Sequence, residues 1–363
     1  MVKKKVIFDN DAAADDVAAI CALLGLSDKV EIVAVTVTGT GEAHGEAGAL
    51  TMANVFHMAG KGDTPIAYGS ENPLSDDGKP FPDFLREFAD AFSTSEHFPK
   101  HPNPSFGNSA VDLLEATIEA SDEPITILAT GPLTNIAELI RRRPIEENPA
   151  FYSKIENIVI MGGAVDVEGN IRNLEPTSEN IYAEWNFYAD PRAAFEVFES
   201  SIPITLVPLD ATDHVPLTHE FLKKIAEETS PAFKFLHYAL KYIIDLPSYG
   251  VEKFLEAYRL WDPLAALVLL DPEIATKEER SLSIDVALAR VIERDPSMDP
   301  VRKILVATGV PHPEEVLESF YQAMKKLDPA VEPESVLDSP SAHWSPPPSP
   351  RHSKEKTAEA TMQ

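Results

Sequence analysis

The 363-residue chain carries 31 Lys and Arg residues against 59 Asp and Glu residues, which gives a formal net charge of −28. This negative charge opposes binding to nucleic acid or to an anionic membrane surface, and the apolar runs are too short to span a membrane. With 44% hydrophobic residues and a single cysteine, Cys21, the sequence predicts a soluble cytoplasmic protein with a large core and no intrachain disulfide.

Apolar strand-like runs alternate with amphipathic helical runs from the N-terminus onward, a pattern that predicts a parallel sheet. The first runs are VIFD, a helix over 15–26, EIVAVTVTG, a helix over 45–59, and PIAYG. Residues 70–108, with several Pro, Gly, Asp and Phe residues, predict a long irregular segment that covers a site rather than forming core. The alternation resumes with ITILAT, LTNIAELIRRR, IENIVIMGG, a helix after Asp190, and PITLVPLD.

The final part of the chain predicts two helices within 217–246, a helix from about Trp261 to Leu270, strand-like LSIDVALA and KILVAT, and a last amphipathic helix, PEEVLESFYQAMKKL. Together, these elements predict one α/β domain over residues 1–330, with a mostly parallel, open β-sheet flanked by helices. Residues 331–363 are rich in Pro, Ser and charged residues, and we expect them to form a disordered tail.

The stretch FDNDAAADD at 8–16 follows the first predicted strand and contains four acidic residues: Asp9, Asp11, Asp15 and Asp16. In an open parallel sheet, ligands gather at the carboxyl ends of the strands. Four carboxylates close together repel one another unless a cation lies among them, and oxygen ligands select Ca²⁺ or Mg²⁺. An EF-hand is excluded because it requires Gly and Glu at positions that Ala14 and Ile20 occupy here.

Two other interpretations of these acids stay open on the residues alone. Asp15 and Asp16 begin a helix, where they would be stabilised by free amide groups without any ligand. A haloacid-dehalogenase-like phosphatase also places Asp-x-Asp at the end of its first strand, but that mechanism leaves the second acidic pair unexplained.

Six further blocks follow the acidic stretch in order: TGTGEAH (38–44), TGPLTNIAEL (130–139), IMGGAVDVEGN (160–170), AEWNFYADP (183–191), VPLDAT (207–212) and WDPLAA (261–266). With these blocks, residues 4 to about 325 resemble the nucleoside hydrolase family of inosine-uridine type, whose first strand ends in Asp-x-Asp followed, three residues later, by Asp-Asp. The resemblance implies a Rossmann-like fold. It also implies a Ca²⁺-dependent N-ribohydrolase that cleaves a ribonucleoside to ribose and free base.

The same resemblance implies roles for individual residues. One Ca²⁺ would be held by Asp11, Asp16, the backbone carbonyl of Thr130, and Asp262, and Asp11 would be the catalytic base that takes a proton from the attacking water. The remaining candidates would bind the substrate: Asp15, Met161, Asn170, Glu184, Asn186, Trp261 and, through a sugar hydroxyl, Asp262. Asn173 is an alternative to Asn170 for the 5′-hydroxyl.

Each of these residues also has a simpler interpretation. Thr130 precedes a Gly-Pro turn, and Asp262 before Pro263 is typical of a helix cap. Trp261 is compatible with ordinary core packing. Asp210 in VPLDAT is expected to be structural.

The sequence departs from the family pattern near the base and near the metal. Many members have Pro-Gly where this chain has Ala12 and Ala13, so we expect a differently shaped metal loop. Trp261 stands where one branch has a His, as in the branch that hydrolyses purine nucleosides, and an indole can stack on a purine. That branch also has a Trp where this chain has Leu85. Glu42 and His44 are candidates to face the base.

The leading hypothesis is therefore a Ca²⁺-dependent hydrolase of ribonucleosides, with purine nucleosides favoured. The resemblance implies a homodimer or homotetramer, with no nucleic-acid or membrane partner. A catalytically silent homologue that binds nucleosides or ribose stays open, and the phosphatase is a third alternative.

Overall fold

An eight-stranded sheet forms the centre of the computed structural model, which describes residues 3–246, 249–295, 297, 302–327 and 329–331. These residues all belong to one unit, Met1–Pro333. The strands lie in the order β3, β2, β1, β4, β5, β6, β10, β7, and a separate two-stranded sheet pairs β8 with β9. Strand bounds are as follows: β1 Lys4–Asn10, β2 Val30–Val37, β3 Ile66–Tyr68, β4 Ile125–Ala129, β5 Ile155–Met161, β6 Ile204–Val207, β7 Thr276–Arg280, β8 Leu282–Asp285, β9 Arg290–Glu293 and β10 Ile304–Gly309.

Helices connect most of these strands. They are α1 Ala14–Gly25, α2 Gly45–Met58, α3 Asp83–Asp90, α4 Ala110–Ala120, α5 Thr134–Arg142, α6 Pro149–Tyr152, α7 Trp185–Ala189, α8 Pro191–Glu199, α9 Leu209–Thr212, α10 His219–Ala226, α11 Pro231–Ile244, α12 Gly250–Ala257, α13 Trp261–Leu270 and α14 Pro313–Lys325. Short 3₁₀ helices span Ala91–Thr94, Ile145–Glu147, Ile171–Asn173 and Pro272–Ile274. In the described part of the chain, no helix combines the length and apolarity needed to cross a bilayer.

The main sheet is parallel except for β7, which pairs antiparallel with β10. Its first six strands follow the doubly wound order, in which the strand order reverses between β1 and β4. Alternating side chains of β1 enter two separate hydrophobic cores: Phe8 packs with α1 and α2 on one face, and Ile7 packs with residues of α4 and α5 on the other. The continuous apolar runs of the sequence are explained by this double coverage.

The prediction of a mostly parallel α/β sheet flanked by helices is confirmed, and the helix predicted from about Trp261 to Leu270 is α13. LSIDVALA, by contrast, does not join the main sheet. It forms β8 and a turn in the small antiparallel sheet, where Leu282 and Ile284 are the buried residues of β8. The tail predicted over 331–363 lies, apart from Val331, outside the described residues and stays a prediction.

The prediction that residues 70–108 are irregular and do not form core is wrong in part. They contain α3 and a 3₁₀ helix, and Phe88, Phe92 and Phe98 are fully or nearly fully buried. The Phe88 ring stacks on Tyr242 of α11 with ring centroids 3.6 Å apart. The segment also has apolar residues at helical spacing, and this pattern would have predicted α3. The Pro and Gly residues favoured an irregular loop instead.

The turn between β1 and α1 has an unusual backbone at Ala12, whose φ is 57°. This left-handed conformation costs a residue with a Cβ about 1–2 kcal/mol. It is stabilised locally, since the Ala12 N–H donates to Asn10 Oδ1 over 3.0 Å and Asn10 Nδ2 donates to the carbonyl of Thr36 over 3.0 Å. Proline cannot adopt this φ, so a proline at position 12 would require a different backbone in this turn.

We expect Ala12→Pro to lower the free energy of unfolding by about 3 kcal/mol, because it forces φ to about −65° and removes the N–H donor. Ala12→Gly should leave the stability unchanged or raise it by up to about 1 kcal/mol, because glycine tolerates a positive φ. Urea unfolding of both variants measures these changes. An Ala12→Pro variant as stable as the wild type would contradict the backbone described for this turn.

Candidate active site

A cleft opens at the carboxyl end of β1 and β4, where the strand order of the sheet reverses. The two strand ends are joined directly, because Thr130 N–H donates to the Asp9 carbonyl over 2.9 Å. The cleft and the solvent at its mouth together span about 920 Å³. Nine of the residues predicted from the sequence line it: Asp11, Asp15, Thr130, Met161, Asn170, Glu184, Asn186, Trp261 and Asp262. The tenth, Asp16, is fully buried and accepts a hydrogen bond from the Thr130 hydroxyl over 2.5 Å.

Three carboxylates form the densest acidic group in the described residues. One oxygen of each of Asp15, Asp16 and Asp262 lies within 4.8 Å of the others. Asp15 and Asp16 are in the first turn of α1, Asp262 is in the first turn of α13, and the two helices pack together. Asp16 also accepts a hydrogen bond from the Ala13 N–H over 2.9 Å. The same carboxylate therefore stabilises the start of α1 and belongs to the acidic group.

Asp11 lies next to this group, close enough to the Asp16 carboxyl for each to influence the pKa of the other. Its Oδ2 accepts from the Glu42 N–H over 2.8 Å. The backbone packs tightly around it, since a Cβ on Gly41 would lie 2.3 Å from Asp11 Oδ2 and one on Gly131 would lie 2.9 Å from the Asp11 Cβ. Both positions therefore require glycine for close approach to the carboxylate.

Burial and mutual repulsion disfavour the ionised form of these acids. Burial, with further repulsion from Asp11, raises the pKa of Asp15 to about 7. Burial is also the main cause that raises the pKa of Asp11 and holds the pKa values of Asp16 and Asp262 well above the usual range. Arg86 acts in the opposite direction on Asp11.

A buried group of carboxylates beside a backbone carbonyl fits a hard divalent cation. Carboxylate and carbonyl oxygens are the donors that Ca²⁺ and Mg²⁺ prefer. A cation among them would favour the ionised forms that burial opposes. Two of the expected donors, Asp16 and Asp262, belong to the three-carboxylate group, and the full donor set expected from the sequence stays a prediction.

Asp9 does not belong to this group, in contrast to the expectation that four acids of the first stretch lie together. Its side chain is fully buried beneath the cleft, where Oδ1 accepts from the Thr36 hydroxyl over 2.5 Å and from Asn135 Nδ2 over 2.8 Å. Asp262, from a distant part of the chain, completes the acidic group instead. An aspartyl-phosphate mechanism would need Asp9 in the cleft, so the geometry gives the phosphatase hypothesis no support.

One wall of the cleft is formed around α7. Glu184 is the N-cap of this helix, and it accepts hydrogen bonds from the N–H groups of Asn186 over 2.9 Å, Gly163 over 2.9 Å and Phe187 over 3.3 Å. Burial raises its pKa to about 7. Asn186 Nδ2 donates to the carbonyl of Thr130 over 2.9 Å, which links this wall to the acidic group.

Neighbouring side chains complete that wall. Asn186 Nδ2 also donates to the Met161 carbonyl over 3.2 Å, and Asn170 Oδ1 accepts from the Trp185 N–H over 3.1 Å. Both Asn170 and Asn173 line the cleft, so the geometry does not choose between the two asparagines weighed for the 5′-hydroxyl.

The opposite wall is largely aromatic. Trp261 lies 4.7 Å from Tyr258 between ring centroids, and both rings line the cleft together with Glu42. The pKa of Glu42 is well above its usual range because of burial and the nearby Asp11 and Asp15. His44, the other candidate from the sequence, points elsewhere and pairs with Asp90 over 2.7 Å.

Sequence reasoning missed several residues of the cleft. Tyr258 has no motif of its own and reaches the site because α12 ends beside it. Phe81 and Trp185 stack with ring centroids 4.9 Å apart, and both line the cleft beside Leu85. The FP pair in FPDFLR and the Trp in AEWN were visible in the sequence, but their contact joins segments about a hundred residues apart.

Comparison with known proteins identifies the family to which the chain belongs. The sequence pattern described as inosine-uridine preferring nucleoside hydrolase matches residues 6–315. The chain belongs to this family. Members hydrolyse N-glycosidic bonds of ribonucleosides, and the chain is accordingly a hydrolase of the nucleoside hydrolase type.

Curated relatives and solved structures agree with this assignment. The pyrimidine-specific ribonucleoside hydrolase RihA of Citrobacter koseri is 32% identical over 77% of this chain and 83% of its own length. Among solved structures, the inosine-uridine preferring nucleoside hydrolase of Bacillus anthracis has a TM-score of 0.71 and 26% identity. The purine-preferring ribonucleoside hydrolase of Gardnerella vaginalis has the same TM-score and identity, and each structure covers 89% of this chain and 99% of its own.

The raised pKa values predict an unusual dependence of stability on pH. Asp9, Asp15 and Glu184 each have a pKa raised to about 7, so the folded, cation-free protein binds more protons than the unfolded chain between about pH 4 and 7. Stability contributed by the protonated carboxyls should therefore be present at about pH 4 and be lost as the pH rises through 7.

Thermal unfolding of chelator-stripped, re-dialysed protein across this pH range measures the effect. We expect the unfolding temperature to fall as pH rises, and Ca²⁺ at neutral pH to raise it again because the ion binds only the folded chain. A stripped protein that becomes more stable toward neutral pH and does not respond to Ca²⁺ would contradict the acidic group as described.

Proposed function

We propose that the chain is a Ca²⁺-dependent N-ribohydrolase that cleaves purine ribonucleosides to ribose and free base in the cytoplasm, as part of purine salvage. The observation that carries the proposal is an acidic group of Asp15, Asp16 and Asp262, with Asp11 and Thr130 beside it, in a cleft with room for a nucleoside. We further propose that the protein acts as a homodimer or homotetramer.

Asp11, Asp16, Asp262 and the Thr130 carbonyl would hold the cation. Ca²⁺ is favoured over Mg²⁺ because it accepts more oxygen ligands in a less regular arrangement. When bound, the ion would lower the pKa of a coordinated water and so supply the nucleophile at neutral pH. Asn186 donates only one hydrogen bond to the Thr130 carbonyl, which leaves the second lone pair of that oxygen free for the ion.

Asp11 would act as general base. One of its oxygens is fixed by the Glu42 N–H, so the other oxygen is the atom that would take the proton of the attacking water. Because Gly41 and Gly131 pack directly against it, the carboxylate has little freedom to rotate, as a base held in one orientation requires.

The ribose would lie between the acidic group and the α7 wall. Asp15 and Asp262 would accept hydrogen bonds from the sugar hydroxyls, while Asn170, Glu184 and Asn186 would bind the 5′-hydroxyl. Met161 would contact the sugar face. Binding the ring at several hydroxyls favours the flattened sugar of an oxocarbenium-like transition state.

The base would stack on the aromatic wall. Trp261 and Tyr258 offer an extended ring surface, which supports a preference for the larger purine base. Burial and the nearby Asp11 and Asp15 raise the pKa of Glu42 well above its usual range, which favours the protonated carboxyl, and in that form Glu42 would donate a hydrogen bond to the base. The pyrimidine-specific activity of the RihA relatives favours the opposite preference, and a substrate panel decides between the two.

The direct test is a reducing-sugar assay with inosine, adenosine, guanosine, uridine and cytidine, before and after chelation. We expect ribose release that the chelator abolishes and Ca²⁺ restores, with a higher kcat/KM for the purine nucleosides. Faster release from uridine or cytidine would overturn the purine preference alone. If every nucleoside binds but none is cleaved in the presence of Ca²⁺, the chain is a silent nucleoside-binding homologue.

A matched pair of variants separates the proposed base from its buried neighbour. Asp11→Asn removes the proton acceptor and should lower kcat by roughly 10³-fold or more. Asp9→Asn keeps a side-chain oxygen for Thr36 and Asn135 outside the cleft and should retain kcat within about tenfold. Steady-state kinetics on both folded variants measure the difference. Equal losses would remove the distinct role assigned to Asp11.

A further inference from the structure

The peptide loop over residues 38–45, called the glycine loop below, is held from outside by a side chain of α3. Arg86 Nη1 donates to the carbonyl of Gly41 over 2.9 Å, and Arg86 Nη2 donates to the carbonyl of Gly39 over 2.9 Å. The Arg86 side chain is 9% exposed. A buried guanidinium that bonds two backbone carbonyls fixes both distance and orientation, because its donors form a rigid fork.

The glycine loop in turn holds Asp11. The Glu42 N–H donates to Asp11 Oδ2 over 2.8 Å, and the Ala43 N–H donates to the Asp11 carbonyl over 3.0 Å. The Gly41 carbonyl and the Glu42 N–H belong to the same planar peptide group. When Arg86 fixes the carbonyl end of this peptide, it also fixes the direction in which the N–H end points.

The glycine loop needs a glycine at position 41 because there is no room for a side chain there. Without a side chain, the backbone at this position is less restricted. A Cβ on Gly41 would lie 2.3 Å from Asp11 Oδ2, so the residue next to Glu42 has the largest backbone freedom of any residue type. Glu71 adds a second contact, since it bonds the Gly45 N–H over 2.7 Å and Arg86 Nη2 over 3.1 Å. The rigidity of the glycine loop therefore comes from α3 and its neighbouring segment.

We propose that Arg86 is a positioning residue for the hydrolase: through the peptide between Gly41 and Glu42, it holds the Asp11 carboxylate in its working orientation. Arg86 does not line the cleft, and in this proposal it acts only through Asp11. The inference rests on the proposed function of Asp11. Because Leu85 of the same helix lines the cleft, α3 also connects the cleft wall to the general base.

The test compares Arg86→Ala with Arg143→Ala. Arg143 makes ion pairs with Glu115 and Glu119 on another part of the surface and does not line the cleft, so it controls for general loss of stability. We expect Arg86→Ala to lower kcat about 10- to 100-fold with KM changed less than about threefold, and to weaken Ca²⁺ binding in calorimetry. Arg143→Ala should change neither quantity.

Two further measurements distinguish positioning from a purely structural role. Millimolar guanidinium should restore part of the kcat of Arg86→Ala, because the ion fits the space left and can donate to the same carbonyls. Arg86→Lys keeps the charge but not the fork, so its kcat should lie between those of the wild type and the alanine variant. It also keeps the test usable if Arg86→Ala does not fold.

The outcomes separate this inference from the proposed function. Wild-type protein that releases no ribose from any nucleoside would overturn the proposed function. Wild-type activity with unchanged kcat and Ca²⁺ affinity in folded Arg86→Ala and Arg86→Lys would overturn the role of Arg86 and leave the hydrolase intact. A loss no greater than that of Arg143→Ala, without guanidinium rescue, would do the same.

Discussion

Repulsion among buried carboxylates is the constraint on which the rest of this site depends. Asp11, Asp15, Asp16 and Asp262 lie together beneath or along one cleft, and burial opposes the ionised form of every one of them. Such a group can stay ionised at neutral pH only if the fold supplies compensating positive potential or if a cation binds. The fold supplies positive potential at this group, and in our proposal Ca²⁺ is the cation that binds.

Three features of the fold meet at this acidic group, and two of them supply positive potential. The N-termini of α1 and α13 converge on the acidic group, so both helix dipoles favour negative charge there. The reversal of strand order between β1 and β4 leaves the crevice in which Thr130 and Asp11 meet. The glycine loop then approaches closely enough for the Glu42 N–H to bond Asp11.

The sequence was sufficient for features encoded locally. Apolar runs separated by helical periods predicted the parallel sheet, and the spacing of Asp11, Asp15 and Asp16 after the first strand indicated a cation site. The structure brings these residues together with Thr130, Glu184 and Asp262, all recognised through blocks of a family pattern.

Features that depend on tertiary contacts could not be predicted. Asp9 shares the motif of Asp11, but it lies in the strand itself, where Thr36 and Asn135 hold its side chain under the cleft. Arg86 reaches the glycine loop from 45 residues away, and the stack of Phe81 on Trp185 joins segments about a hundred residues apart. No sequence period marks such contacts.

The most direct test of the central claim is the calcium content of the protein, measured by equilibrium dialysis followed by atomic emission on the wild type and on Asp16→Ala. One tightly bound Ca²⁺ per wild-type chain, lost in the variant, is the predicted result. Wild-type protein that binds no divalent cation would contradict the claim that a cation balances the acidic group.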